Sequence, residues 1–178
     1  MNRVVAAFEA MQSALHAAAP NAVAKLYPPA APVALADMEV SLGRALHPDL
    51  RALLELHNGQ DPSPPLFDNE WLNGASLEGW SARKELFDAG EVAPGWWDPL
   101  WVPVTDSDGN GFHLHLETGE VRYMDNVEGL DRTRRAAGLA ELFDLVTRLV
   151  TSPDYDPDFH ETGEPEVWVH LSENLPRG

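Results

Sequence analysis

The twelve residues from Asp106 to Glu117 satisfy the calcium-loop spacing D-x-[DN]-x-[DN]-G-x5-E at every specified position. Oxygen ligands at that spacing wrap a hard cation, provided an amphipathic helix on each side holds the loop. Neither flank has helical character. Upstream, Leu100-Trp101-Val102-Pro103-Val104 is aromatic and β-branched, with a proline that would break a helix interior. Downstream, Phe112, Leu114 and Leu116 alternate with His113, His115 and Glu117, the period of a strand. A calcium hand would also want a buried aliphatic where His113 stands. The segment therefore reads as a β-hairpin turn of Asx and Gly residues, which tolerate left-handed backbone angles, with calcium as the lesser alternative.

His113 and His115 share one side of that strand, and Glu120 follows, so a transition-metal site of the cupin type is the second chemistry to weigh. The framing glycines fall at the wrong spacing, and a cupin needs many more strands. Two imidazoles on the solvent face of a half-buried strand is the preferred reading, and zinc the lesser one. Nucleophilic chemistry has little to start from. There is no cysteine, no Gly-x-Ser-x-Gly elbow and no phosphate-binding Gly-x-x-x-x-Gly-Lys loop, and the lysines are Lys25 and Lys84 alone. No residue is assigned a catalytic role, no cofactor is expected, and the chain reads as a non-enzymatic binder.

Binding is the chemistry that the aromatic and acidic residues favour. Of six tryptophans, Trp101 and Trp168 fall within strands and are expected to be structural. Trp96-Trp97, beside Asp98 in a Pro/Gly loop, suits an exposed interface anchor better, and a sugar platform is a smaller possibility. With 29 acidic against 12 basic side chains and a net charge of −17, the surface potential must be negative over much of the molecule. Such a surface serves solubility, and it also attracts a basic protein. Nucleic acid is not expected as a direct partner, since phosphate contacts need clustered basic residues and the one tight group is Arg132, Arg134 and Arg135. The expected contact region is Trp96, Trp97 and Asp98 together with Asp106, Asp108 and Glu117.

The elements that must position these residues follow from periodicity. Val4, Phe8, Met11 and Leu15 repeat at helical spacing, which favours an amphipathic first helix over a signal peptide, and no apolar run approaches a membrane span. Tyr27 to Pro32 is an extended proline connector. A second helix carries Leu35, Met38, Leu42 and Leu46, ends near Leu46, and has Asp37 and Glu39 placed early, where the helix dipole favours them. A third opens at His47-Pro48-Asp49, with proline at its first position, and closes at Asn58-Gly59. His57 on its inner stripe is expected to be a hydrogen-bonded residue at the core edge. Ser76 caps a helix with Leu77, Trp80, Lys84 and Phe87 on one stripe. Three strands, Trp101 to Val104, Phe112 to Leu116 and Glu120 to Met124, form an antiparallel meander. The last helix spans about Ala137 to Val150, and in the acidic remainder Val167 to Leu171 is a strand expected to join a sheet edge.

The order of these parts carries a resemblance: Leu42-Gly43, then Leu46-His47-Pro48-Asp49-Leu50 running into His57-Asn58-Gly59, then Trp101-Val102-Pro103-Val104 before a Gly-rich turn and an alternating strand. It resembles the SUKH superfamily, which includes fungal cell-wall synthesis regulators and many bacterial immunity proteins that neutralise secreted toxin domains. The resemblance covers about Leu35 to Val150. His47 between the usual leucine and proline, and histidines where acidic residues are more frequent on the second strand, depart from the pattern. It implies no shared catalytic residues. The expectation is one α+β domain, a twisted, mainly antiparallel sheet packed against helices. Residues 1–30 form an N-terminal helix and connector, 31–152 the SUKH-like domain and 153–178 an acidic extension. A cytoplasmic immunity protein binding a basic toxin domain is the leading function. The alternative is a regulatory or scaffold protein, and after it a calcium or zinc binder.

Overall fold

Helix α1, Arg3–Ala18, starts where the Asn2 side chain accepts the Val4 N–H at 3.1 Å. Its predicted stripe of Val4, Phe8, Met11 and Leu15 is buried. This computed structural model describes residues 2–20, 25–61, 84–85, 88–91, 98–105, 110–125 and 127–154, the side chains of 132–135 excepted. Helix α2, Pro32–Leu42, buries only Leu35 and Met38 and stops at Gly43, whose left-handed backbone (φ 68°) suits a residue without a Cβ. It thus ends four residues before the expected Leu46. Leu46 still enters the core, from the turn that follows. Asp37 and Glu39 are mid-helix and complement no first turn.

Helix α3, Pro48–Leu56, places Pro48 at its first position as the sequence predicts, with His47 as its cap. It ends at Leu56, and the positive φ of Gly59 serves a different purpose from the expected helix cap. Beyond His57 the chain runs extended against the proline connector: Tyr27 donates to the Gly59 carbonyl and Asn58 to that of Pro28, at 2.9 and 3.0 Å. His57 is indeed a core-edge residue, its Nδ1 3.1 Å from the Tyr27 carbonyl and its ring 6.1 Å from that of Phe8. Of the helix expected from Ser76, the described residues 84, 85 and 88 are helical, and Lys84 pairs with Asp88 one turn on.

Among the described residues the sheet has four antiparallel strands in sequence order: β1 Trp101–Pro103, β2 Gly111–His115, β3 Val121–Asp125 and β4 Gly129–Ala136. The meander is as expected, and the fold is α+β. β4 was not anticipated, because Gly-Leu-Asp-Arg-Thr-Arg-Arg-Ala offers no alternation of apolar residues. It is recruited by the turn before it, where Asp125 Oδ1 accepts the N–H groups of Val127 and Glu128 at 2.7 and 2.9 Å. Helix α4, Leu139–Val150, then packs along α1, with Phe8 and Phe143 edge to face at 5.2 Å.

Register assigns the two faces. Val102, Phe112, Leu114, Val121 and Ala136 lie on the face that joins the helices in one apolar core. Trp101, Pro103, His113, His115, Arg122 and Met124 lie on the other. That second face is not a solvent face: His113 and Met124 are 0% exposed and Trp101 9%. The expectation for His113 is therefore corrected. A period of two tells which residues share a face, while coverage of that face depends on distant chain.

Candidate protein-contact site

The N–H of Leu116 donates to the Leu100 carbonyl at 2.8 Å, which brings the entry to β1 and the β2–β3 turn to one end of the sheet. Asp98 and Glu117 both sit there. Asp98 Oδ1 accepts the Leu100 N–H at 2.7 Å, closing the turn that launches β1. Glu117, with its side chain 65% exposed, sets one oxygen 3.0 Å from Arg44 Nη1. Both residues are exposed. Thr105 and Asn110, which bracket Asp106 and Asp108, lie at the opposite end of the β1–β2 ladder. Asp106, Asp108, Trp96 and Trp97 themselves lie outside the described residues.

The flanks of the Asp106 turn are strands, which settles the local geometry in favour of a hairpin over a helix–loop–helix. The hairpin is locked from its base. Buried Thr105 accepts the Phe112 N–H through Oγ1 at 2.8 Å, and the Phe112 carbonyl accepts from Val104 at 2.7 Å. Gly111 (φ 154°) is forced by closeness as well as by angle, since a Cβ there would stand 2.2 Å from the Thr105 carbonyl oxygen.

At the Glu117 end the support is polar and was not legible beforehand. Glu39 reaches across the α2–α3 turn, its Oε1 accepting the Leu46 N–H at 2.9 Å and the Arg51 Nη2 at 2.6 Å. The Leu46 N–H first, and the Arg51 guanidinium second, hold the Glu39 carboxyl below the usual carboxylate range; Glu39 in turn raises Arg51. His47 Nδ1 accepts the Asp49 N–H at 3.2 Å, capping α3. The other edge of that imidazole fills the space over Gly119 (φ 75°), where a Cβ would meet Nε2 at 2.6 Å. The departure from the family pattern at His47 thus has a structural purpose, joining the helix cap to the β2–β3 turn.

The second face of the sheet gathers the remaining polar candidates. Arg122 lies over the Trp101 ring at 5.3 Å and sets its Nε 2.6 Å from Glu120 Oε1. His115 meets Trp101 edge to face at 4.9 Å, and its Nδ1 accepts the Thr118 N–H at 3.3 Å. Glu120, weighed as a metal ligand, is thus engaged by arginine, and His115 by its own turn. Among the described residues no three His, Cys, Asp or Glu side chains come together as a metal site would require. Trp101 is structural, as expected, and the Arg122 interaction is one that an isolated Arg in a strand did not signal.

Residues 29–145 match the SMI1 / KNR4 family (SUKH-1). The chain belongs to this family. The SUKH match covers α2, α3, the whole sheet and the first half of α4, and it leaves α1 outside. The recurrent pieces of the SUKH pattern prove to be geometric devices here: Gly43 ends α2, Pro48 opens α3, Gly59 returns the chain, and Trp101-Val102-Pro103 is β1. Among curated proteins, none matches this SUKH chain. No helix of the described residues is long and apolar enough to cross a membrane.

Proposed function

We propose that this SUKH protein is a non-enzymatic, cytoplasmic immunity protein that sequesters a toxin domain with a basic surface. The observation that carries the reading is the net charge of −17 on a chain of this family. A strong net negative charge raises the encounter rate with a cationic partner, and desolvated aromatic anchors slow its release. The contact region we assign is Trp96, Trp97 and Asp98 with Glu117, extended by Asp106 and Asp108 on the opposite turn. Asp98 and Glu117 support it through their shared end of the sheet and their exposed carboxylates.

Co-expression of the chain with a toxin domain encoded beside it tests the proposal. Restored growth and a co-purifying complex are expected. Asp98→Asn with Glu117→Gln, which keep the local acceptors, should slow association by about two- to fivefold. Failure to restore growth, with a housekeeping protein captured in place of the toxin, would assign the chain to the regulatory branch.

A further inference from the structure

Arg44 sets a positive charge at the end of the sheet where Asp98 and Glu117 stand, in a chain with 29 acidic and 12 basic side chains. Its Nη1 is 3.0 Å from Glu117 Oε1, and the two side chains are 42% and 65% exposed, so water screens the pair. The backbone beneath it is fixed. Gly43 turns the chain at the end of α2, and the N–H groups of Gly43 and Arg44 donate to the Val40 and Glu39 carbonyls, both at 3.1 Å. A helix cap thus carries the guanidinium to the β2–β3 turn. The ion pair is not what joins these elements, because His47 already packs against Gly119 across the same junction and Leu46 is buried beside it in sequence. Arg51 cannot take its place. That guanidinium is held by Glu39 at 2.6 Å and by Glu55 at 3.4 Å. An exposed pair with independent support next to it adds little stability and is open to exchange for another cation.

We infer that Arg44 determines specificity in the contact region assigned above, and the inference rests on that assignment. In the free chain Arg44 occupies Glu117, and a basic partner must replace it with a cation of its own. A repulsive element of this kind discriminates by difference. A weakly basic surface meets a carboxylate that is already neutralised and a guanidinium that repels it, while a densely cationic surface supplies enough attraction to take Glu117. Removing Arg44 should therefore strengthen binding. Loss of a structural tie would weaken it.

An oligo-arginine peptide is the probe, titrated at low ionic strength into the full chain while backbone amide resonances are followed. Arg44→Gln and Lys25→Gln each delete one positive charge. They act in different places, since Lys25 pairs with Asp61 past the C-terminal end of α3 and Arg44 precedes its N-terminal end. The Glu117 and Thr118 amides should reach half their shift at about threefold less peptide in Arg44→Gln than in the unaltered chain, with Lys25→Gln changing that by less than about 1.5-fold. Arg44→Lys, which keeps the charge, should restore the original response. Equal responses of Arg44→Gln and Lys25→Gln, or a weaker one in Arg44→Gln, would overturn the inference. The neighbouring toxin domain separates it from the immunity reading. No toxin binding with the Arg44 effect intact removes immunity and keeps the role of Arg44, and toxin binding with no Arg44 effect does the reverse.

Discussion

The two faces of the sheet are buried by different chemistry. Toward the helices lie Phe112, Leu114, Val121 and Val102, closed over by α1 and α4 through rings such as Phe8 and Phe143. On the reverse, Met124 and Trp101 share the space with His113, Arg122 and Glu120, so apolar area is interleaved with hydrogen-bonded and stacked polar groups. The first arrangement maximises transfer of apolar surface from water. The second gains less from transfer and demands that each polar group keep its partner. The difference teaches where substitution is tolerated, and why a strand pattern that looks half-exposed can belong to a strand buried on both sides.

Truncation on each face sharpens the contrast. Phe143→Ala should lose about 3–5 kcal/mol in urea unfolding, as large buried aromatics do. Met124→Ala should lose about 2–5 kcal/mol, because its side chain is as inaccessible as Phe143. A solvent face would change by no more than about 0.5 kcal/mol at that position, and such a value would break the two-sided description. Gly111, paired with Met124 on the reverse face, comes next. Gly111→Ala should cost about 1–3 kcal/mol by calorimetry or denaturation, from backbone strain against the Thr105 carbonyl. Ser in place of Thr105 keeps the hydroxyl and should be much milder.

The smallest effect is expected away from both faces, at the clasp between α2 and α3. Glu39 has its pKa lowered in the fold from an ordinary value of 4.5, so its contribution is present above that pH and fades as pH falls through the folded value. Glu39→Gln should therefore cost about 0.5–1 kcal/mol near neutrality and progressively less in acid, followed as thermal midpoints of both proteins across pH. A difference that grew on acidification would reverse the sign required by the Leu46 and Arg51 contacts.

Periodicity made much of the fold legible. Val4, Phe8, Met11 and Leu15 announce α1, Pro48 announces α3, and the Asx–Gly turn with its alternating flank announces the β1–β2 hairpin. β4 was hidden because its residues show no apolar alternation, and it is placed by its pairing with β3 after the Asp125 turn. The end of α2 was misplaced because Leu46 continues the apolar spacing after Gly43 has already turned the chain. Of the contact region, sequence pointed to Asp98 by its place beside Trp96-Trp97 and to Glu117 as a carboxylate of the hairpin. Their common position depends on the Leu116–Leu100 pairing, and the Glu39–Arg51 clasp depends on two helices meeting, neither of which local patterns encode.

The most direct trial of acidic-surface protein recognition is the association rate of the purified chain with its neighbouring toxin domain, followed by stopped flow across ionic strength. The rate should fall steeply, by an order of magnitude or more, between about 0.01 and 0.5 M salt, while the dissociation rate changes little. An association rate indifferent to salt would contradict recognition through the negative surface.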